Sequence, residues 1–96
     1  MKKVTILGST GSIGQNALSV IDNFNDQFIV VGLSANKNSK LLVEQVKKYQ
    51  PKFVSIVDRN SADFVEEKLS SFDVKILKGR EGLLELASYE NIDLLL

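Results

Sequence analysis

The sequence predicts an α/β fold with a mostly parallel sheet. Short runs rich in β-branched residues alternate with longer segments whose apolar residues recur at helical spacing, and this alternation is typical of βα units. The runs are apolar at consecutive positions, as expected for strands that helices cover on both faces. The predicted strands are Val4–Leu7, Phe28–Leu33, Phe53–Val57, Val74–Leu77 and Asp93–Leu96. We expect a three-layer arrangement in which the first three strands have the order 3-2-1, with either of the last two beside the first.

Apolar residues at helical spacing lie between the strands, and each set is expected to face the sheet. They are Ile13, Ala17, Ile21 and Phe24 in the first helix, Leu42, Val46 and Tyr49 in the second, and Ala62, Val65, Leu69 and Phe72 in the third. A fourth helix, Arg80–Tyr89, has a weaker pattern because Gly82 lies in its first turn. The residues suited to capping the helix N-termini are Ser12, Asn38 or Ser39, and Asn60 or Ser61, and Pro51 should end the second helix.

Length and composition indicate one small domain over residues 1–96. Hydrophobic residues make up 44% of the chain and charged residues 25%, as in an average globular protein. Twelve Lys and Arg balance twelve Asp and Glu, so the chain lacks the basic excess that nucleic acids or anionic membranes attract. With no Cys and no His, disulfides, thiolate nucleophiles, imidazole bases and ordinary Zn sites are excluded. Because no apolar run is long enough for a signal peptide or a membrane span, we expect a cytoplasmic protein.

A glycine-rich segment is the most informative motif. Gly8-Ser9-Thr10-Gly11-Ser12-Ile13-Gly14 follows the first predicted strand and opens the first helix. In such a turn the first glycine permits the sharp bend, the second lets a ligand approach the backbone, and the third lets the helix pack closely. Free amides at a helix N-terminus bind phosphate, so the motif predicts a Rossmann-like dinucleotide site; a tight turn built from small residues is the alternative. Its G-x-x-G-x-x-G spacing differs from the usual G-x-G-x-x-G, and no Lys-Ser or Lys-Thr follows Gly14 as in NTPase loops.

The end of the second strand indicates which nucleotide is bound. NAD enzymes carry an Asp or Glu there for the ribose 2′-hydroxyl, whereas this chain reads Ala35-Asn36-Lys37-Asn38-Ser39. Lys37 would attract a 2′-phosphate, and Asn38 and Ser39 can donate hydrogen bonds to it. We therefore predict NADP(H). The alternative is a solvated Lys37 beside a helix cap at Asn38.

These segments resemble one enzyme family over about the first 60 residues. The block from Lys3 to Gly14 is similar to the start of the 1-deoxy-D-xylulose 5-phosphate reductoisomerase family. Leu33-Ser34-Ala35, Lys37-Asn38, Leu42, Gln45 and Pro51-Lys52-Phe53-Val54 continue the resemblance at the same distances. One position departs from the pattern, since Asn36 stands where many members have Gly.

The resemblance implies a function for the whole enzyme. Members use NADPH and Mg²⁺ or Mn²⁺ to convert 1-deoxy-D-xylulose 5-phosphate, a small phosphorylated sugar, to 2-C-methyl-D-erythritol 4-phosphate in non-mevalonate isoprenoid synthesis, and most are homodimers. The positions implied to contact the cofactor are Thr10, Gly11, Ser12, Ile13, Asn36, Lys37 and Asn38. The family's metal and substrate ligands fall beyond residue 96, so no catalytic or metal-binding residue is assigned.

Residues 1–96 are thus expected to be an incomplete N-terminal domain, truncated at its last strand and inactive alone. The apolar ending Asp93-Leu94-Leu95-Leu96 supports this expectation, because natural chains seldom end inside a buried sheet. Two other readings stay open at this point: part of an NADP-dependent semialdehyde or acyl-phosphate dehydrogenase, and a non-catalytic NADPH-binding regulatory module.

Overall fold

The computed structural model describes residues 1–89 and 92–96 and confirms the α/β fold. Within these residues the strands are β1 (Lys2–Ile6), β2 (Phe28–Ala35), β3 (Phe53–Ile56), β4 (Lys75–Lys78) and β5 (Leu94–Leu95). The helices are α1 (Ser12–Asn23), α2 (Ser39–Tyr49), α3 (Arg59–Lys68) and α4 (Gly79–Ala87). Each predicted strand and helix is present, and where bounds were predicted they shift by at most two residues. The predicted strand ran to Leu96, and backbone pairing with the β1 side does continue one residue past β5, since Leu7 N–H donates to Leu96 O at 2.8 Å.

The sheet is parallel throughout and has the order β4-β3-β2-β1-β5. The expected 3-2-1 order is correct, and β5, not β4, lies beside β1. The crossovers from β1 to β4 run in one direction and the crossover from β4 to β5 returns in the other. Since such crossovers are right-handed, α1, α2 and α3 cover one face and α4 covers the opposite face. The result is the three-layer Rossmann-like arrangement, with its crevice at the carboxyl ends of the strands.

The core lies mainly between the sheet and the layer of α1, α2 and α3. Val4, Ile6, Leu33, Val54 and Ile56 of the strands are almost completely buried there. The predicted stripes of α2 and α3 are confirmed by the buried or half-buried side chains of Leu42, Val46, Tyr49, Ala62, Val65, Leu69 and Phe72. None of the helices in the described ranges has the length and hydropathy needed to cross a bilayer.

The predicted stripe of α1 is wrong at its two ends. Ile13 is 84% exposed and Phe24 is 46% exposed, whereas Leu18 and Ile21 are buried. Gly14 is the residue of the first turn that faces the sheet, which turns Ile13 outward. Phe24 lies at the C-cap, beyond the last helical residue.

The helix caps partly differ from expectation. Asn38 caps α2 as predicted, and its side chain accepts a hydrogen bond from Leu41 N–H at 3.3 Å. The cap of α3 is Asp58, not Asn60 or Ser61, because its carboxylate accepts from Ser61 N–H at 3.1 Å. Gly11, not Ser12, occupies the N-cap of α1. Pro51 follows the last turn of α2 as predicted, after Gln50 in the left-handed conformation.

Candidate cofactor-binding site

The β1–α1 loop brings helix α1 unusually close to the end of β1. Gly8 has φ of +65°, a conformation that favours glycine. A Cβ at Gly14 would lie 2.3 Å from Gly8 O and 2.6 Å from Ser9 Cα. A Cβ at Gly11 would meet only Gly8 O, at 3.4 Å. The turn requires glycine at position 8, and the close packing requires it at position 14. At position 11 neither the backbone conformation nor a close contact requires glycine.

The N-terminus of α1 is open to a ligand. Its N-cap, Gly11, has no side chain that could cap the helix, and the first turn contains no acidic residue. The first intrahelical bond runs from Gln15 N–H to Gly11 O at 2.9 Å, so the amides of Ser12, Ile13 and Gly14 have no partner within the helix. These amides and the helix dipole favour an anion at this point.

Buried hydrogen bonds hold this loop against β2 and α2. Ser34, in β2, accepts from Gly8 N–H through its Oγ at 2.8 Å and from Ser9 N–H through its carbonyl at 2.7 Å. Gln45, in α2, donates to Ser9 O at 2.8 Å and accepts from Ser9 Oγ at 2.7 Å. Ser9, Ser34 and Gln45 are all at least nine-tenths buried. The loop is therefore fixed relative to the end of β2 before any ligand arrives.

The β2–α2 loop contains the second group of candidate residues. Asn36, Lys37 and Asn38 are all exposed. Asn36 O extends the β2–β3 pairing by accepting from Asp58 N–H at 2.9 Å. Ser61 Oγ donates to Lys37 O at 3.3 Å, which ties the loop to α3. Within the described part of the chain Gln50 is the one non-glycine residue with positive φ, so Asn36 does not need the conformational freedom of a glycine.

The charge of Lys37 acts on one neighbouring carboxylate. The pKa of Asp58 is lowered, mainly because the Ser61 hydroxyl donates a hydrogen bond to it and to a smaller extent because of the nearby Lys37 ammonium. The Asp58 carboxylate is therefore already engaged as the N-cap of α3. Lys37 itself forms no ion pair within 4.0 Å among residues 1–89 and 92–96.

The two candidate loops meet at the carboxyl edge of the sheet. Gly8 and Asn36 line the same open cleft of about 300 Å³, together with Arg80 and Leu83 of α4. Thr10, Gly11, Ser12 and Ile13 lie at the α1 end of this edge, and Lys37 and Asn38 at the α2 end. Ile13 extends its apolar side chain into solvent beside the open amides.

Sequence reasoning missed the polar residues that position the loops. Ser9 and Ser34 stand in segments that carry the resemblance, but a serine in a strand or a glycine-rich turn is common and gives no signal of a positioning role. The positioning role of Gln45 could have been predicted, since it is a polar residue next to Val46 on the buried side of α2. No function was predicted for Arg80 either.

The described residues include no obvious catalytic or metal centre. No group of three or more His, Cys, Asp or Glu side chains that could hold a metal ion occurs among them. The chemistry that this edge of the sheet supports is the binding of a phosphate-containing ligand.

Comparison with known proteins identifies the family. A family model described as 1-deoxy-D-xylulose 5-phosphate reductoisomerase matches residues 4–96. A relative of the same name from Thermodesulfovibrio yellowstonii is 46% identical over 96 residues, which is the whole of this chain and 25% of the relative. The relative from Thermoanaerobacter sp. strain X514 is 47% identical over 90 residues, covering 94% of this chain and 23% of its own. The chain thus spans about a quarter of the length of these relatives.

Solved structures agree with the sequence relatives. The reductoisomerase of Zymomonas mobilis in complex with NADPH superposes with a TM-score of 0.84 at 35% identity, over 90% of this chain and 23% of that one. A second reductoisomerase structure, with NADPH, fosmidomycin and magnesium, reaches a TM-score of 0.93 at 27% identity, over 99% and 24%. Of the three readings of the sequence, these similarities favour the first. The chain belongs to the 1-deoxy-D-xylulose 5-phosphate reductoisomerase family.

Proposed function

We propose that residues 1–96 are the NADPH-binding part of a 1-deoxy-D-xylulose 5-phosphate reductoisomerase. The observation that carries the proposal is the uncapped N-terminus of α1, where Gly11 leaves the amides of Ser12 and Ile13 open. The buried bonds of Ser34 hold that opening at the end of β2, next to the loop of Lys37, which forms no ion pair with the residues that the structure describes. A pyrophosphate and a 2′-phosphate are the two anionic groups of NADPH, and the two loops supply a place for each.

The proposed roles follow from the position of each residue. The backbone at Thr10, Gly11, Ser12 and Ile13 receives the pyrophosphate, with the Ile13 side chain covering it from solvent. Lys37 pairs with the 2′-phosphate, and the exposed Asn36 and Asn38 donate hydrogen bonds from their side-chain amides. Asn38 can donate through Nδ2 while its Oδ1 keeps capping α2.

The activity of the whole protein is part of the proposal. Bound NADPH would supply the hydride that completes the conversion of 1-deoxy-D-xylulose 5-phosphate to 2-C-methyl-D-erythritol 4-phosphate. This chain binds and orients the cofactor, whereas the Mg²⁺ or Mn²⁺ site and the sugar-phosphate site belong to other parts of a cytoplasmic homodimer. We expect no turnover by residues 1–96 alone. A semialdehyde or acyl-phosphate dehydrogenase and a regulatory module are less consistent with the family.

The test is a comparison of NADPH with NADH on Lys37→Ala. A charge-assisted hydrogen bond contributes about 1.5–3 kcal/mol, so the variant should lose about 10- to 100-fold in NADPH affinity. NADH lacks the 2′-phosphate, and its affinity should change by less than about twofold. Fluorescence titration of the reduced nicotinamide measures both affinities on the same protein.

Lys47→Ala is the matched control for this test. Lys47 lies exposed in the last turn of α2, so the variant removes the same charge from the far end of the same helix. Its NADPH and NADH affinities should match those of the parent chain, meaning residues 1–96 without substitution. Equal losses for both nucleotides in Lys37→Ala would refute the 2′-phosphate role, and a parent chain that bound neither would refute the proposed function.

A further inference from the structure

The cleft at the carboxyl edge of the sheet has a mostly apolar lining. Its walls include Leu7 after β1, Ala35 at the end of β2, Val57 after β3 and Leu83 of α4. Such walls suit an uncharged, flat group better than a phosphate, because a buried anion needs hydrogen-bond donors or a cation around it. The cleft has a volume of about 300 Å³ and is open to solvent. It lies on the face of the sheet that α4 covers.

The cleft adjoins the place proposed for the adenosine end of the cofactor. Gly8 and Asn36 line it and also belong to the two candidate loops. In dinucleotide-binding folds the ribose 2′ position lies at the end of the second strand. With the 2′ substituent next to Lys37, the base attached to the same ribose falls over the ends of β2 and β3, where the cleft is.

Arg80 is the one cation that lines this cleft within the described residues. It is the second residue of α4, directly after Gly79 with φ of +71°. The neighbouring carboxylate of Glu81 is already paired with Arg59 at 3.0 Å. No Asp or Glu in residues 1–89 and 92–96 lies within 4.0 Å of Arg80, so its guanidinium plane is available to a ligand.

We propose that Arg80 stacks its guanidinium on the adenine of NADPH and so holds the base against the apolar wall of the cleft. Planar guanidinium groups stack on aromatic faces and are weakly hydrated, which a lysine cannot reproduce. The inference rests on the proposed function and adds a residue from α4 to it. In this arrangement two cations contact the adenosine end of the cofactor: Lys37 pairs with the 2′-phosphate, and Arg80 stacks on the base.

The test uses Arg80→Ala and Arg80→Lys in the 96-residue chain, titrated with NADPH and with NADH. Both nucleotides carry adenine, so Arg80→Ala should weaken both by the same factor, about 3- to 30-fold. Arg80→Lys keeps the charge but not the plane and should recover less than half of the loss. Lys47→Ala removes a cation outside the cleft, from the exposed side of the last turn of α2, and should leave both affinities unchanged. Thermal unfolding checks that each variant is folded.

The outcomes separate this inference from the proposed function. If the parent chain failed to bind NADPH, the proposed function and the inference would both fall. If the parent chain bound NADPH but Arg80→Ala bound it equally well, only the stacking role would be wrong. A loss limited to NADPH would assign Arg80 to the 2′-phosphate, and full recovery in Arg80→Lys would show that charge alone acts; either result overturns stacking.

Discussion

Replacing Gly14 by alanine tests how closely helix α1 must approach the end of β1. The added Cβ would lie 2.3 Å from Gly8 O, 2.6 Å from Ser9 Cα and 2.9 Å from Ser9 C. These are backbone atoms held by buried hydrogen bonds, so the helix has to move instead. Overpacking of this kind costs about 1–3 kcal/mol, and more where backbone must shift. The better helix propensity of alanine offsets up to about 1 kcal/mol.

We therefore expect Gly14→Ala to lower the free energy of unfolding by about 2 kcal/mol. In a domain of this size each kcal/mol lowers Tm by about 4–8 °C, so Tm should fall by about 8–16 °C. Urea unfolding and a thermal scan measure the two quantities. NADPH affinity should fall as well, because moving α1 displaces the open amides from the end of β2.

Gly11→Ala is the matched control in the same loop. A Cβ there would meet only Gly8 O, at 3.4 Å, and φ of −77° suits any residue. The loss of stability should stay below about 1 kcal/mol, the difference between glycine and alanine at an N-cap. NADPH affinity should nevertheless fall, since the methyl group would lie where the pyrophosphate approaches. If Gly14→Ala were as stable as the parent chain, the account of this close packing would be wrong.

Two further predictions concern the contacts that α2 makes. Gln45→Ala leaves the buried carbonyl of Ser9 without its donor and opens a cavity, so the free energy of unfolding should fall by about 2–4 kcal/mol in urea; a loss under about 0.5 kcal/mol would contradict the role of Gln45. The pKa of Asp22 is lowered from its usual 3.8, first by the hydrogen bond from Lys48 and also by that from Tyr49. Its contribution to stability is therefore present above pH 3.8 and lost as the pH falls through the lower folded-state pKa. Asp22→Asn should flatten the decline of Tm over that acid range, and an unchanged pH profile would remove this link between α1 and α2.

The sequence predicted the fold well where periodicity and motif agree. The β1–α1 turn was recognisable because glycines stand at positions 8, 11 and 14 between a strand and a helix, and the structure has a positive φ at Gly8 and a close approach at Gly14. The sequence could not predict which of the last two strands lies beside β1, because the runs that form β4 and β5 are equally short and apolar. Their places depend on the direction of the last crossover, which no local pattern records.

The exposed Ile13 shows why the stripe of α1 was misread. Spacing alone allows Ile13, Ala17 and Ile21 to share one face, but the first turn approaches the sheet so closely that only glycine fits there. The helix is therefore rotated so that Gly14 points inward and Ile13 outward. The close approach of α1 to β1 at Gly14 thus also moves an apolar side chain to the surface next to the open amides.

The site depends on contacts that run through three elements and not on the glycine loop alone. Ser34 binds the backbone on the strand side of the loop, and Gln45 binds Ser9 from the helix side. Both partners are buried polar groups, which are costly unless every hydrogen bond is made. Fixing the loop in this way before ligand binding reduces the ordering that the ligand must later impose. A serine and a glutamine that no nucleotide motif includes are thus what make the glycine loop a preformed anion site in this chain.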